Sequence, residues 1–153
     1  MKNLLNLCLV LTALIAVNLG CTDDRNGNSG TGNQGTSGKA DAKEAKLDSY
    51  TIKGIKFAYY KIPSGLSRED LIKTAQKIHD AEPDTQLILV DDDSKVKEYI
   101  AYVKAISGQG DIDKAQLPQE WADKHIVANV QKYTSGRFVL CESNGSVEIA
   151  DLK

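Results

Sequence analysis

Residues 66–90 read LSREDLIKTAQKIHDAEPDTQLILV, and this stretch decides the fold because a helix pattern leads directly into a strand pattern. Ser67 is a typical N-cap residue, and Asp70 stands three positions later, as in a capping box. Apolar residues then recur at helical spacing. The stretch therefore predicts a helix over 67–80 and a short apolar strand over 86–90.

An alternating pattern precedes this helix and predicts further β-structure. If Lys53-Gly54 forms a two-residue turn, Ile52 faces Ile55 across a hairpin. An unbroken strand with a bulge at Gly54 is the alternative. Followed by the helix and the strand over 86–90, the pattern indicates a crossover unit with parallel strands. Five apolar residues can share one face of the predicted hairpin: Tyr50, Ile52, Ile55, Phe57 and Tyr59.

Further elements are predicted downstream. Asp93 or Ser94 can cap a second helix, and Pro118 suits the first position of a short third helix. Residues 125–131 fit either a strand or a helix, and the short turn that follows favours the strand. Asn144-Gly145 is the strongest short hairpin signal in the chain.

The pairing of the last hairpin follows from its turn. With Asn144-Gly145 at the tip, the prediction sets Glu142 opposite Val147, Leu140 opposite Ile149 and Phe138 opposite Asp151. The fold class expected for residues 47–153 is α+β: one small domain with a mixed, mostly antiparallel sheet, two or three packed helices and a C-terminal β-hairpin.

Composition excludes several classes of protein. The chain has 153 residues, of which 41% are apolar and 26% charged, with a formal net charge of −2. The apolar content is that of a globular protein, so the chain is neither collagenous nor wholly disordered. Because Lys and Arg are not in excess, no nucleic-acid partner is expected.

The N-terminus has the organisation of an export signal. Met1-Lys2-Asn3 is a short basic start, and a mostly apolar run over 4–17 is too short to span a bilayer comfortably. The run ends at Asn18-Leu19-Gly20-Cys21. A small residue before a cysteine at this place resembles a bacterial lipoprotein precursor, although the usual pattern has Leu where this chain has Asn18.

That resemblance implies how the protein is anchored. Residues 1–20 would be removed as a signal peptide, and Cys21 would be acylated and hold the protein to a lipid bilayer. Thr22 after the cysteine is similar to outer-membrane sorting signals, whereas Asp23-Asp24 resembles a signal for display on the cell surface. The expected location is thus the cell envelope, more specifically the outer membrane, on its periplasmic face or its surface.

Residues 21–46 connect the predicted anchor to the domain. From residue 22 onward this segment has no branched aliphatic or aromatic side chain, and five glycines lie between Gly27 and Gly38. Such a composition cannot bury enough apolar surface to offset the entropy of ordering, so the sequence predicts a disordered tether.

Few residues offer chemistry. Cys141 has no partner for an internal disulfide if Cys8 is cleaved off and Cys21 is acylated, and it is expected to be a buried core residue. Asp91, Asp92 and Asp93 follow a strand, where ligand sites often gather, and are weak candidates for a cation site. Their spacing is not that of a calcium loop. No metal, cofactor or catalytic residue is therefore assigned, and the protein is expected not to be an enzyme.

Three aromatic residues are candidates for contact with a partner. Tyr60 and Tyr102 fall off the apolar faces of their own predicted elements, and Trp121 is a residue type enriched at interfaces. The function expected is a non-catalytic binding module for an envelope or foreign protein, in the manner of inhibitor, immunity or superinfection-exclusion lipoproteins. Two alternatives stay open: an envelope enzyme or metal-dependent hydrolase using the Asp91–Asp93 region, and a structural lipoprotein that binds the cell wall.

Overall fold

A computed structural model describes residues 44–153, which form a six-stranded sheet with three helices. The strands follow one another across the sheet in chain order, and only the second and third run parallel. The predicted α+β class, with its mostly antiparallel sheet and C-terminal hairpin, is confirmed. The elements are β1 (Ala45–Ile52), β2 (Ile55–Lys61), α1 (Arg68–Ala81), β3 (Thr85–Val90), α2 (Val96–Ile106), α3 (Gln119–His125), β4 (Ile126–Lys132), β5 (Phe138–Glu142) and β6 (Glu148–Leu152).

The first hairpin has the predicted register. Ile52 pairs with Ile55 and Tyr50 with Phe57, so β1 and β2 are joined by the two residues Lys53 and Gly54. Both turn residues have positive φ, 50° at Lys53 and 84° at Gly54. Two positive φ values are what a type I′ hairpin turn requires, and glycine adopts them without strain. β1 begins at Ala45, two residues before the predicted start of the domain.

Helix α1 connects the two parallel strands. Its N-cap is Ser67, whose Oγ accepts a hydrogen bond from the backbone N–H of Asp70 at 3.1 Å. The helix buries Leu71, Ala75 and Ile78 on one side, as the predicted helical stripe requires. The sequence prediction of a strand–helix–strand crossover with parallel strands is therefore confirmed.

Helices cover both faces of the sheet. On one face, the α1 stripe packs with Ala58, Leu87 and Leu89 in a first core cluster. On the other face, residues of α2 and α3 pack with Tyr59 and Val90 in a second cluster. Strand β3 thus contributes to both clusters, which explains why it reads as a continuous apolar run.

The predicted cap of the second helix was wrong. Neither Asp93 nor Ser94 caps α2, because its N-cap position is taken by Lys95 without a side-chain hydrogen bond. Asp92 instead bonds the N–H of Ser94 at 2.9 Å and so shapes the turn before the helix.

In the last hairpin, only the pairing beside the turn is as predicted. The N–H of Glu142 bonds the carbonyl of Val147, but the register shifts between Leu140 and Cys141. Leu140 therefore faces Ala150 rather than Ile149, and Phe138 faces Leu152 rather than Asp151. An extra residue of this kind in one strand is a β-bulge, which a turn motif alone does not reveal.

Candidate functional site

The best-connected polar cluster lies where the parallel strands end. Lys61 and Val90 are the last residues of β2 and β3 and pair with each other. Asp91, Asp92 and Asp93 follow directly, and we call them the acidic triplet. The short helix α3 ends beside the triplet, since the N–H of Asp91 donates to the carbonyl of His125 at 3.1 Å.

Asp91 binds the His125 ring as well as its backbone. The Nδ1 of His125 lies 2.8 Å from Oδ1 of Asp91, and both side chains are about three-quarters buried. A carboxylate in this position fixes the orientation of the imidazole ring. An Asp–His contact of this kind is one part of the arrangements used in general-base catalysis.

Asp92 accepts three hydrogen bonds. Its Oδ1 receives the indole Nε1–H of Trp121 at 2.9 Å and the backbone N–H of Ser94 at 2.9 Å, and the Ser94 hydroxyl donates to the same oxygen. Donors stabilise the ionised form of a carboxyl group. The bonds from Ser94, followed by that from Trp121, lower the pKa of Asp92 to about 2.

Asp93 is the most exposed member of the acidic triplet. It forms an ion pair with Lys61 at 2.8 Å, with half of the aspartate side chain exposed to solvent. The hydrogen bond from Lys61 lowers the pKa of Asp93. Because exposed pairs of this kind contribute little to stability, this contact positions the end of β2 more than it holds the fold together.

The triplet is thus bound to three different internal partners. His125, Trp121 and Lys61 each occupy one carboxylate, so the triplet connects the exit of β3 to α3 and to β2. Within residues 44–153, no group of three or more His, Cys, Asp or Glu side chains is placed to hold a metal ion. The arrangement can orient a histidine and tie elements together.

The three aromatic candidates do not come together. Trp121 is only 8% exposed and belongs to the second core cluster, where its ring centroid lies 5.9 Å from that of Tyr99. Tyr60 is half-buried against the first cluster on the opposite face, because helices cover both sides of β2. Tyr102 is partly buried on α2.

Tyr60 belongs to a polar group at the end of α1. Its hydroxyl donates to Glu82, and Lys46 forms an ion pair with the same carboxylate oxygen at 2.7 Å. Burial alone would raise the pKa of Glu82, but the hydrogen bonds from Lys46 and Tyr60 outweigh it and lower that pKa. Beside this group lies an open cleft of about 500 Å³, bordered by β1 and by Pro83-Asp84 after the helix.

Two residues with reactive or titratable side chains are in the core. Cys141 is fully buried, as predicted, and burial raises the pKa of its thiol, which opposes formation of the nucleophilic thiolate. His79 is 5% exposed and packs against Phe138, with 4.5 Å between ring centroids and an angle of 43° between the ring planes. Its Nδ1 has no hydrogen-bond partner among residues 44–153.

Sequence reasoning missed the partners of the acidic triplet. Asp91 and His125 are 34 positions apart, and Asp92 and Trp121 are 29 apart. Neither spacing belongs to a local motif, so no pattern in the sequence could have joined them. Only the sheet, which brings the start of β4 beside the end of β3, makes the contacts.

The predicted signal peptide, the lipidation site at Cys21 and most of the predicted tether lie outside the described residues. No helix in the described part of the chain is long and apolar enough to cross a membrane. No protein-family model matches the sequence, and no match to it was found among curated proteins or solved structures.

Proposed function

We propose that the protein is an envelope lipoprotein, anchored through acylated Cys21, whose α+β domain binds another protein without catalysis. Support for the anchor is the order of a basic start, an apolar run and Gly20-Cys21 at the N-terminus. A lipid-anchored domain acts on what reaches the membrane surface, and its partner would be an envelope protein or an incoming foreign one.

The hydrogen bonds of the acidic triplet are the observation that favours the binding proposal over a metal-dependent function. A hard cation needs several free oxygen ligands that converge on one point. Here the three carboxylates are turned to three separate donors, at 2.8 Å from His125, 2.9 Å from Trp121 and 2.8 Å from Lys61. In this fold the three carboxylates connect the end of β3 to α3 and to β2.

The anchor and the binding function are tested separately. Cys21→Ser should abolish the incorporation of labelled palmitate into the protein, with unchanged far-UV circular dichroism of the domain. A variant that still incorporates palmitate would contradict acylation at Cys21. Affinity capture of the intact lipoprotein from its own envelope should yield a specific protein, whereas recovery of peptidoglycan fragments alone would favour the structural, cell-wall-binding alternative.

One observation favours an enzyme as a second candidate. His125 is oriented by Asp91 at the carboxyl end of parallel strands, as a general base in a hydrolase would be. In this reading, Asp91→Asn and His125→Gln both abolish hydrolysis of an envelope ester or amide while Asp93→Asn does not. A domain that binds its protein partner equally well with Asp91→Asn, and shows no hydrolytic activity in either form, supports the binding proposal.

A further inference from the structure

Strand β6 is an edge of the sheet, because within residues 44–153 it pairs only with β5. An edge strand has backbone N–H and C=O groups that no neighbouring strand binds, and these groups can pair with a strand of another molecule. In this domain helix α1 supplies hydrogen-bond partners for three backbone groups at this edge, through the side chains of Arg68 and Gln76. The edge is thus bound by side chains instead of by a strand.

Gln76 binds the backbone of Lys153, the residue after β6, in the way that a neighbouring strand would. Its Nε2 donates to the carbonyl of Lys153 at 2.8 Å, and its Oε1 accepts the N–H of Lys153 at 3.0 Å. Paired residues of adjacent antiparallel strands exchange the same two kinds of bond. The Nε2 of Gln76 also donates to Asp80 at 2.7 Å, and this bond orients the amide. Gln76 therefore occupies both backbone groups that a strand of a second molecule would need at Lys153.

Arg68 binds β6 from about two turns earlier in α1. A guanidinium nitrogen of Arg68 donates to the carbonyl of Ile149 at 2.8 Å. Ile149 is the extra residue of the bulge in β6, because Glu148 and Ala150 on either side of it pair with consecutive residues of β5. Bulges and charged side chains at an edge are both features by which natural sheets avoid the addition of a further strand.

The opposite edge of the sheet, strand β1, has the same two features. Its register shifts at Leu47, which is the extra residue of a bulge. The backbone N–H of Ser49 donates to the carboxylate of Asp48 at 2.7 Å. The side-chain Nε2 of Gln109 donates to the carbonyl of Thr51 at 3.2 Å. Because a bulge and side-chain bonds to the backbone recur at both edges, the closed edge is a property of the whole sheet and not of one helix contact.

We infer that Arg68 and Gln76 prevent β6 from pairing with β6 of a second copy of this chain. Two copies of one edge strand can pair antiparallel about a two-fold axis. Asp151 lies midway between Ile149 and Lys153, so this axis would bring it opposite its own counterpart, where two carboxylates repel each other. The closed edge keeps the domain monomeric, whatever the domain binds.

The closed edge is tested in the full chain, produced in its own cells, by the double change Arg68→Met, Gln76→Met. Methionine keeps an unbranched side chain of similar length and favours helix, but it has no N–H to donate. A photoreactive residue in place of Asp151 should then crosslink two copies at least ten times more than it does with Arg68 and Gln76 present. A photoreactive residue in place of Thr51, on the opposite edge, should show no such increase.

The matched control is the double change Glu69→Met, Lys73→Met. Both residues are exposed on α1, and the control adds the same number of methionines to the same helix. It should leave crosslinking from residue 151 within twofold of the level in the unchanged protein. An equal increase in the control, an equal increase from the position of Thr51, or no increase after Arg68→Met, Gln76→Met would overturn the inference.

A second measurement distinguishes a closed edge from bonds that only stabilise the fold. The purified full-length double variant should form a dimer by light scattering, with the far-UV circular dichroism of the folded domain. A folded double variant that stays monomeric would assign the three hydrogen bonds to stability alone and overturn the inference. Should the double variant unfold, Gln76→Met alone should still raise crosslinking at least threefold, and a folded single variant without this rise is equally contrary.

Discussion

The indole Nε1 of Trp121 donates a hydrogen bond of 2.9 Å to Oδ1 of Asp92. This bond joins the short helix α3 to the turn that leaves the central strand β3. Trp121 also packs against Tyr99 and His125, with ring centroids 5.9 Å and 6.2 Å away. Trp121 therefore connects the second core cluster to the acidic triplet.

Replacing Asp92 should disturb both the fold and its spectroscopic reporter. Asp92→Ala leaves the buried indole N–H and the Ser94 N–H without their acceptor, so the free energy of unfolding should fall. Asp92→Asn, which keeps one acceptor oxygen, should lose less. Trp121 is the only tryptophan in the chain, so its emission maximum and urea unfolding curve report the change directly. Asp93→Ala is the matched control and should alter neither; an equal loss would contradict the role given to Asp92.

Acid should weaken the fold through the same carboxylate. The pKa of Asp92 is lowered from 3.8 to about 2 in the folded protein. A group whose pKa is depressed by folding contributes stability above its unfolded pKa, and this contribution is lost as pH falls through the folded value. Between about pH 5 and pH 2 the urea midpoint should therefore drop more steeply for the unchanged protein than for Asp92→Asn. Parallel pH profiles would contradict this assignment.

Substitutions at the two turn positions of the first hairpin should change the stability of the domain in opposite directions. Gly54→Ala should destabilise the domain by about 1–2 kcal/mol, because alanine resists φ of 84°. A Cβ there meets nothing within 4 Å, so the cost is that of the backbone alone. Lys53→Asn should instead stabilise by roughly 0.5–1 kcal/mol, since Asn tolerates positive φ better than Lys. Chemical denaturation measures both, and a stabilising Gly54→Ala would refute the turn geometry.

The cap of α1 offers a local test of the helix that links the parallel strands. Ser67→Ala removes the acceptor for the Asp70 N–H and should cost about 1 kcal/mol. Ser67→Asn restores a capping oxygen and should return most of that stability. The comparison uses thermal unfolding of the three proteins, and equal melting temperatures for the Ala and Asn variants would show that the cap contributes nothing.

Local signals in the sequence predicted much of the fold. Ser67 and Asp70 placed the start of α1, and Lys53-Gly54 fixed the register of the first hairpin, because both depend on contacts between residues close in sequence. The bulge after Asn144-Gly145 was missed for the opposite reason. The bulge depends on how β6 pairs with β5 away from the turn. The turn itself determines only the pairing of the residues beside it.

The candidate sites were harder to predict because their chemistry depends on tertiary contacts. The position of Asp91–Asp93 after a strand was apparent, but the partners His125, Trp121 and Lys61 lie 29 to 34 positions away along the chain. The sequence makes Tyr60 a partner candidate because this residue falls off the apolar face of its predicted strand. Once α1 is placed over the other face, the same residue packs against the core.

The two histidines of the chain provide a final test of how burial and pairing act together. His79 is buried, and its Nδ1 is unpaired within the described residues, so its imidazole carries a desolvation cost with no compensating bond at that atom. We expect His79→Leu to be at least as stable as the unchanged protein, with a gain of up to about 1 kcal/mol. His125→Leu should be less stable by about 1–2 kcal/mol, because it deprives the part-buried Asp91 carboxylate of its partner at 2.8 Å. Urea unfolding at pH 7 distinguishes the two, and a loss of more than about 1 kcal/mol for His79→Leu would mean that its ring contact with Phe138 outweighs the unpaired nitrogen.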